Sequence, residues 1–454
     1  MQTYNDFLTT KEFKPVTSGF DPDLSSYTLK DFQSDIVRWA CNRGKAAVFA
    51  DTGLGKTYMQ LSWAEQVTLK TQKPVLVLAP LAVSEQTINE GAKFNIKVTK
   101  YIPGFYVKPG IYIINYEQLK NIDCSQFVGV VLDESSILKG FDGKMRRMIT
   151  DSFKSTPYRL SCTATPSPND LMEFGTQAEF LGIMTHEEML AMFFIHDGGD
   201  TSKWRLKGHG RDKFYEWLST WSVVIRNPGD YGYDSTGYDL PPVVIHEHVI
   251  ESGLTDGLLP WIAQSLTERN QARRHTVEAR CKKAAEIANS IDGQCLIWCH
   301  LNDESSLLKQ LINNSVEVMG SQKPEHETAA LLGFSDCSVQ KLITKPKIAG
   351  FGMNWQKCQH MIFTGLSDSF EQYYQAVRRC WRFGQTQQVH IHIVSADSEG
   401  AVVANIKKKE QQHNAIAKEM IANVKEFTAK QLGKAYQEKT AYQPKTAMEL
   451  PTWI

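Results

Sequence analysis

The 454-residue sequence has no apolar run approaching the roughly 18 residues that a membrane-spanning helix needs, so a helical integral membrane protein is excluded. It has no excess of either charge, with 50 Lys and Arg against 50 Asp and Glu. The balance therefore argues for neither nucleic acid, a membrane surface nor an acidic substrate, and any such partner has to be read locally. The opening "MQTYNDFLTTKEF" has neither the basic end nor the apolar stretch of a secretory signal. With nine scattered cysteines, this points to a reducing cytosol. Zinc finds too few ligands: "CLIWCH" offers Cys295, Cys299 and His300, and no second cluster answers them. His390 and His392 share one face of a strand without further ligands and read as structural. Low-complexity tracts are absent. The length itself implies two or three domains rather than one core.

What is present begins at "KAAVFADTGLGKTYMQLSWAEQ", a buried strand, a glycine loop and a helix with apolar spacing. Gly53 and Gly55 let the backbone curl so that successive N–H groups face an anion, and the helix adds its positive end. Lys56 then reaches the outer phosphates of a nucleotide, and Thr57 offers a hydroxyl to magnesium. Ala50 stands where the general pattern has its first glycine. A second strand, "FVGVVLDESS", ends in Asp133 and Glu134. Asp133 is placed to hold magnesium through water, and Glu134 to orient or deprotonate the water that attacks the outer phosphate. An isolated Asp-Glu pair could simply end a strand on the solvent side. Beside a phosphate loop it makes hydrolysis the expected reaction.

The order of motifs goes further: "LKDFQ", "ADTGLGKT", "VLAP", "INYE", "LDESS", "SCTATPSPND", "LIWCH", "IAGFGMNWQ" and "QAVRRCWRFGQ". Over residues 29 to about 395 the chain resembles a superfamily 2 helicase-type motor, and within it the SNF2-like branch, especially the SNF2-like proteins of phages and prophages. "NDLMEF", "VIRNPGD…DLPP" and the closing "RFGQ" carry the finer likeness. The resemblance implies two RecA-like parallel-sheet lobes with ATP and magnesium between them. It makes Gln33 an adenine contact and adds Arg379 and Arg382, reaching across the cleft, to the catalytic set of Lys56, Asp133 and Glu134. The nucleotide-contacting set becomes Gln33, Thr52, Gly53, Gly55, Lys56, Thr57, Asp133 and Gly352, with Thr57 and Asp133 on the metal. Gly350, Gly352 and Asn354 match the motif that senses nucleotide while touching the track; Ser161, Thr163 and Thr165 match the one that couples the two sites. Two departures stand out. Ser135 and Ser136 replace the commoner Ala-His, and Arg378 replaces a glycine, leaving three neighbouring arginines for two roles.

The resulting expectation is an α/β chain: a first lobe over 1–180, an aromatic and basic interlobe insertion over 181–238, a second lobe over 239–402 and a helical tail over 403–454. Aromatics interleaved with Lys and Arg in the insertion suit nucleic acid, but the plainer and preferred reading is that Trp204, Trp217 and Trp221 form a small helical core. "RNQARRHTVEARCKK" reads as a phosphate contact or a solvated helix face. In the tail, Ile416, Met420, Val424 and Phe427 form one stripe suited to packing on a lobe. The function implied is an ATP-dependent motor that translocates on or remodels double-stranded or branched DNA, largely blind to sequence. Partners from replication, recombination or repair would fit, in a bacterial host's cytosol if the gene is phage-borne. A strand-separating helicase acting on DNA or RNA, or a recruitment protein with a vestigial ATPase, are the alternatives.

Overall fold

The computed structural model describes residues 18–432 apart from 140–142, 168–169, 198–199, 254, 257–258, 261–265, 323 and 350–353. Gly350 and Gly352 therefore lie outside the described residues, as do residues 433–454 of the expected tail and the side chain of Phe427.

Two parallel sheets organise the chain. The first contains β1 (Lys45–Ala50), β2 (Val75–Ala79), β3 (Val98–Lys100), β4 (Ile111–Asn115), β5 (Gly129–Asp133), β6 (Tyr158–Cys162) and β7 (Ser222–Ile225), in the order β3-β4-β2-β5-β6-β1-β7. Every pairing in it is parallel. Its strands are nearly continuous apolar runs because both faces are covered. In β1, Ala46, Val48 and Ala50 join one core, which holds the helices α1 (Asp31–Arg43) and α2 (Lys56–Thr71), while Ala47 and Phe49 join the core on the other face. The alternation of side chains along a strand feeds two cores from one sequence.

Residues 211–225 correct the reading of an insertion separate from both lobes. Helix α3 (Arg211–Trp221) buries Trp217 and Trp221 in the first lobe's second core, and β7 pairs directly with β1. Their aromatic density is core packing. Trp204 sits on a separate two-stranded hairpin, Phe194–Asp197 with Asp200–Leu206, its ring 3.7 Å from that of His196.

The second sheet holds β8 (Val243–Ile250), β9 (Cys295–Trp298), β10 (Ser315–Glu317), β11 (Lys341–Thr344), β12 (His360–Thr364) and β13 (Val389–Ala396), ordered β8-β13-β12-β9-β11-β10 and again all parallel. Cys295, Cys299 and Ile297 face the core under α4 (Val277–Ser290), and Leu296 and Trp298 face the opposite one. His390 and His392 have company that their own strand does not reveal. His246 Nε2 lies 3.0 Å from His390 Nδ1, His248 Nε2 lies 3.1 Å from His392 Nδ1, and His360 stacks on His390.

Two helices tie the lobes together. Ser369 Oγ accepts from the Gln372 N–H at 3.3 Å and so caps α5 (Phe370–Val377), which leads into the arginine segment 378–382. Helix α6 (Gly400–Gln431) has 32 residues and is about 48 Å long. It begins with Val402, Val403 and Ile406 in a second-lobe core, then places Met420 and Val424 in one first-lobe core and Ala429 in the other. Near its end, Gln431 Oε1 accepts from Trp39 Nε1 at 3.1 Å and from Arg43 at 3.2 Å. Among the described residues, no helix is long and apolar enough to cross a membrane.

Candidate active site

The ends of β1 and β5 and the arginine segment after α5 converge on a cleft of about 280 Å³ between the lobes. Thr52, Gly53, Gly55, Lys56, Thr57, Asp133 and Glu134 line it from one side, and Arg379 and Arg382 from the other. The loop depends on its glycines. Gly53 has φ +89° and Gly55 φ +78°, and a Cβ on Gly55 would stand 2.3 Å from Gln33 Nε2. At Gly53 the added atom would meet Phe383 of the second lobe at 2.9 Å. Lys56, the first residue of α2, donates from Nζ to Ala50 O at 2.8 Å.

The acids sit in a demanding backbone. Glu134 adopts φ +55°, a left-handed conformation that a side-chain-bearing residue holds only when its surroundings fix it. Those surroundings are specific. Thr163 Oγ1 donates to Glu134 Oε2 at 3.2 Å, Gln177 Nε2 donates to Ser135 O at 2.9 Å, and Tyr116 Oη donates to Asp133 O at 2.7 Å. Thr165 N in turn donates to Thr163 Oγ1 at 3.1 Å, so the "TATP" segment is wired to the acid. Ser161 lies fully buried on β6.

Electrostatics fit a polyphosphate with a divalent cation. Burial, and next the charge of Glu134, raise the Asp133 carboxyl, while Lys56 opposes them. Burial likewise raises Glu134, against Lys56 and Arg379. Burial, with the like charge of Arg382 alongside, pulls Arg379 down to about 10. A buried and a half-buried carboxylate that resist ionising together, with a threonine hydroxyl at the same cleft, are a donor set for a hard cation. The three cationic side chains face the space where phosphate oxygens would lie. Magnesium would be held by Thr57 and Asp133.

Not every sequence-predicted residue lies in this cleft. Gln33 packs under the loop instead, donating to Leu54 O at 2.9 Å and accepting from Lys30 N at 3.0 Å. Arg378 turns away to Asp51, and Asn354 is exposed. Conversely, Gln86, Glu90 and Lys93 line the cleft although no motif marks them. So do Tyr58 and Phe94, whose rings stack 3.7 Å apart.

Residues 26–168, which include the loop and both acids, match the family described as "Type III restriction enzyme, res subunit". Residues 279–384, which include the arginines, match "Helicase conserved C-terminal domain". The chain carries the two conserved domains of a superfamily 2 helicase-type ATPase. It is 30% identical over 183 residues to the p41 protein of Acyrthosiphon pisum secondary endosymbiont phage 1, a match spanning 35% of this chain and 40% of that relative's length. Among solved structures it is similar to the Sulfolobus solfataricus SWI2/SNF2 ATPase core in complex with dsDNA, at 16% identity over 91% of this chain and 98% of that one, with a TM-score of 0.41.

Proposed function

We propose that this superfamily 2 ATPase is a motor of the SNF2-like kind that hydrolyses ATP in the interlobe cleft and uses lobe closure and opening to move along double-stranded DNA. One observation carries the motor reading: the groups that handle the nucleotide come from both lobes, Lys56, Thr57, Asp133 and Glu134 from one and Arg379 and Arg382 from the other. Hydrolysis then requires closure, and closure is the mechanical step. What ATP and magnesium supply is a phosphoanhydride bond whose outer oxygens carry partly neutralised charge. Lys56 anchors those oxygens, Glu134 aligns a water and takes its proton, and Arg379 and Arg382 meet the charge that grows in the transition state. In this reading the first lobe runs through β7, and residues 226–242 form the hinge.

Duplex DNA as the track follows from "NDLMEF", "DLPP" and "RFGQ", which resemble the segments of duplex-tracking motors. Steady-state ATPase with duplex, single-stranded and branched DNA and with RNA, at one fixed salt concentration, tests it. Stimulation by blunt duplex is the expected result. Stimulation by single strands or RNA alone would replace this reading with the second one, a strand-separating helicase. That alternative has one observation in its favour, the hairpin over 194–206 that belongs to neither sheet and could act as a wedge.

A further inference from the structure

Two of the positions at which this chain departs from the superfamily pattern, Ser136 and Arg378, act at opposite ends of one helix, α5. At the N-terminal end of α5, Glu371 accepts from Ser136 Oγ at 2.5 Å and pairs with Lys139 Nζ. Both partners lie in the short segment Ser135–Lys139 that follows Glu134. At the C-terminal end of α5, Arg378 pairs with Asp51, and Tyr374 Oη donates to the other Asp51 oxygen at 2.6 Å. Asp51 follows β1 and opens the phosphate loop. The helix that delivers Arg379 and Arg382 is thus held at one end to the acid loop and at the other to the phosphate loop.

The two ends are unequal. Lys139 and Glu371 keep 38% and 14% of their side chains exposed, and a pair of that kind contributes little. Asp51 and Arg378 are buried, and removing either partner leaves the other's charge in the interface with weaker compensation. Around Arg378 the site is built: its guanidinium lies 4.4 Å from the Trp381 ring, and Trp381 Nε1 donates to Pro241 O at 2.7 Å in the linker before β8. Arg226 Nε, on the same linker, stands 3.8 Å from Asp51. Burial raises the Asp51 carboxyl, but Arg378 and then Arg226 outweigh it and hold the group below its ordinary value.

We propose that Arg378, through Asp51, and to a lesser degree Glu371, through Ser136 and Lys139, are positioning residues that lock α5 across the interface and thereby set Arg379 and Arg382 in the cleft. The proposal rests on Arg379 and Arg382 being the arginines of hydrolysis. A clamp of this kind favours the closed arrangement, because opening α5 away from the phosphate loop separates Arg378 from Asp51.

The test is steady-state ATPase of the full chain carrying Asp51→Asn, Arg378→Gln, Arg378→Lys, the Asp51→Asn/Arg378→Gln pair, or Arg379→Ala. Arg378→Gln and Asp51→Asn are each expected to lower kcat by about thirtyfold while KM for ATP stays within about threefold. The double variant should lose no more than either single one, because both act through one contact. Arg378→Lys should regain most of the rate. If Arg378→Gln fails to fold, the double variant, which strands no charge, carries the test. A parent-like kcat in Arg378→Gln or in the double variant, or losses that multiply in the double, would overturn the clamp. Arg379→Ala separates the two levels: if it too keeps the parent rate, the assignment of the hydrolytic arginines fails; if it alone loses rate, only the clamp fails.

Discussion

Replacing Glu134 by Gln is the most informative single change at the cleft. The substitution keeps size and keeps an oxygen to accept from Thr163 Oγ1, now 3.2 Å away, and glutamine adopts the φ of +55° no less readily than glutamate. What it removes is the charge and the ability to take a proton. Positioned general bases contribute about 10²- to 10⁴-fold, so the barrier should rise by about 3–5 kcal/mol. Binding should survive, because Lys56, Arg379 and Arg382 are untouched. Folding should not suffer either. Burial and then the Glu134 charge raise the Asp133 carboxyl, so removing that charge relieves a cost present in the ligand-free protein at neutral pH. The assay is single-turnover hydrolysis beside equilibrium binding of a fluorescent ATP analogue and a thermal melt. The expected pattern is hydrolysis down by at least about a hundredfold, binding within about threefold, and a melting temperature no lower than the parent's. Turnover at the parent rate would show that Glu134 is not the base.

Arg379→Ala and Arg382→Ala should each lower kcat far more than they weaken ATP binding, on the order of a thousandfold for the residue that meets the developing charge; a rise in KM with kcat preserved would contradict this. Trp217→Ala should cost about 3–5 kcal/mol in denaturant unfolding, because the ring is buried in the first lobe's core; a variant of parent stability that only loses nucleic-acid affinity would make it a surface reader instead. Acid should destabilise the chain. Burial holds His300 and His413 down to about 4, so the unfolded chain takes up protons below about pH 6.5 that the folded one refuses. Stability from these groups is complete above that pH and is lost as pH falls toward about 4, which denaturant titrations across the range check. His413→Phe, which keeps a ring against Phe370 and Tyr374, should flatten that slope.

The loop and the acids were legible in the sequence because each is local: a strand, two glycines at positive φ, a lysine, and a strand ending in carboxylates need only a few neighbouring residues to be recognised. The parallel sheets were legible for the same reason, since a strand buried on both faces reads as an unbroken apolar run. Contacts between distant segments were not. Nothing near Arg378 marks Asp51 as its partner, and nothing near Ser136 points to Glu371; only the folded interface joins them. The histidines of β8 follow an alternating pattern of their own, but their pairing with β13 is a property of strand order. The tryptophans of 211–225 read as a core in the sequence, but that this core belongs to the first lobe was not legible, for a physical reason. Aromatic rings beside basic residues suit a nucleic-acid surface and a core equally well, and the deciding feature was the short apolar "SVVI" that became β7. Removing 181–238 as a separable insertion would strip the strand that flanks β1. Gln33 carries a contact that its motif does not announce: its amide links the phosphate loop at Leu54 O to the start of α1 at Lys30 N.

The central claim, ATP-driven movement along an intact duplex, is tested most directly by one pair of substrates given to the same preparation. The first is a duplex with a third strand annealed in its major groove ahead of the motor, and the second is a forked duplex with a single-stranded tail. The account predicts that the third strand is displaced when ATP is present and retained when Glu134→Gln replaces the parent, while the fork stays paired. Efficient unwinding of the fork with the third strand left in place would contradict it.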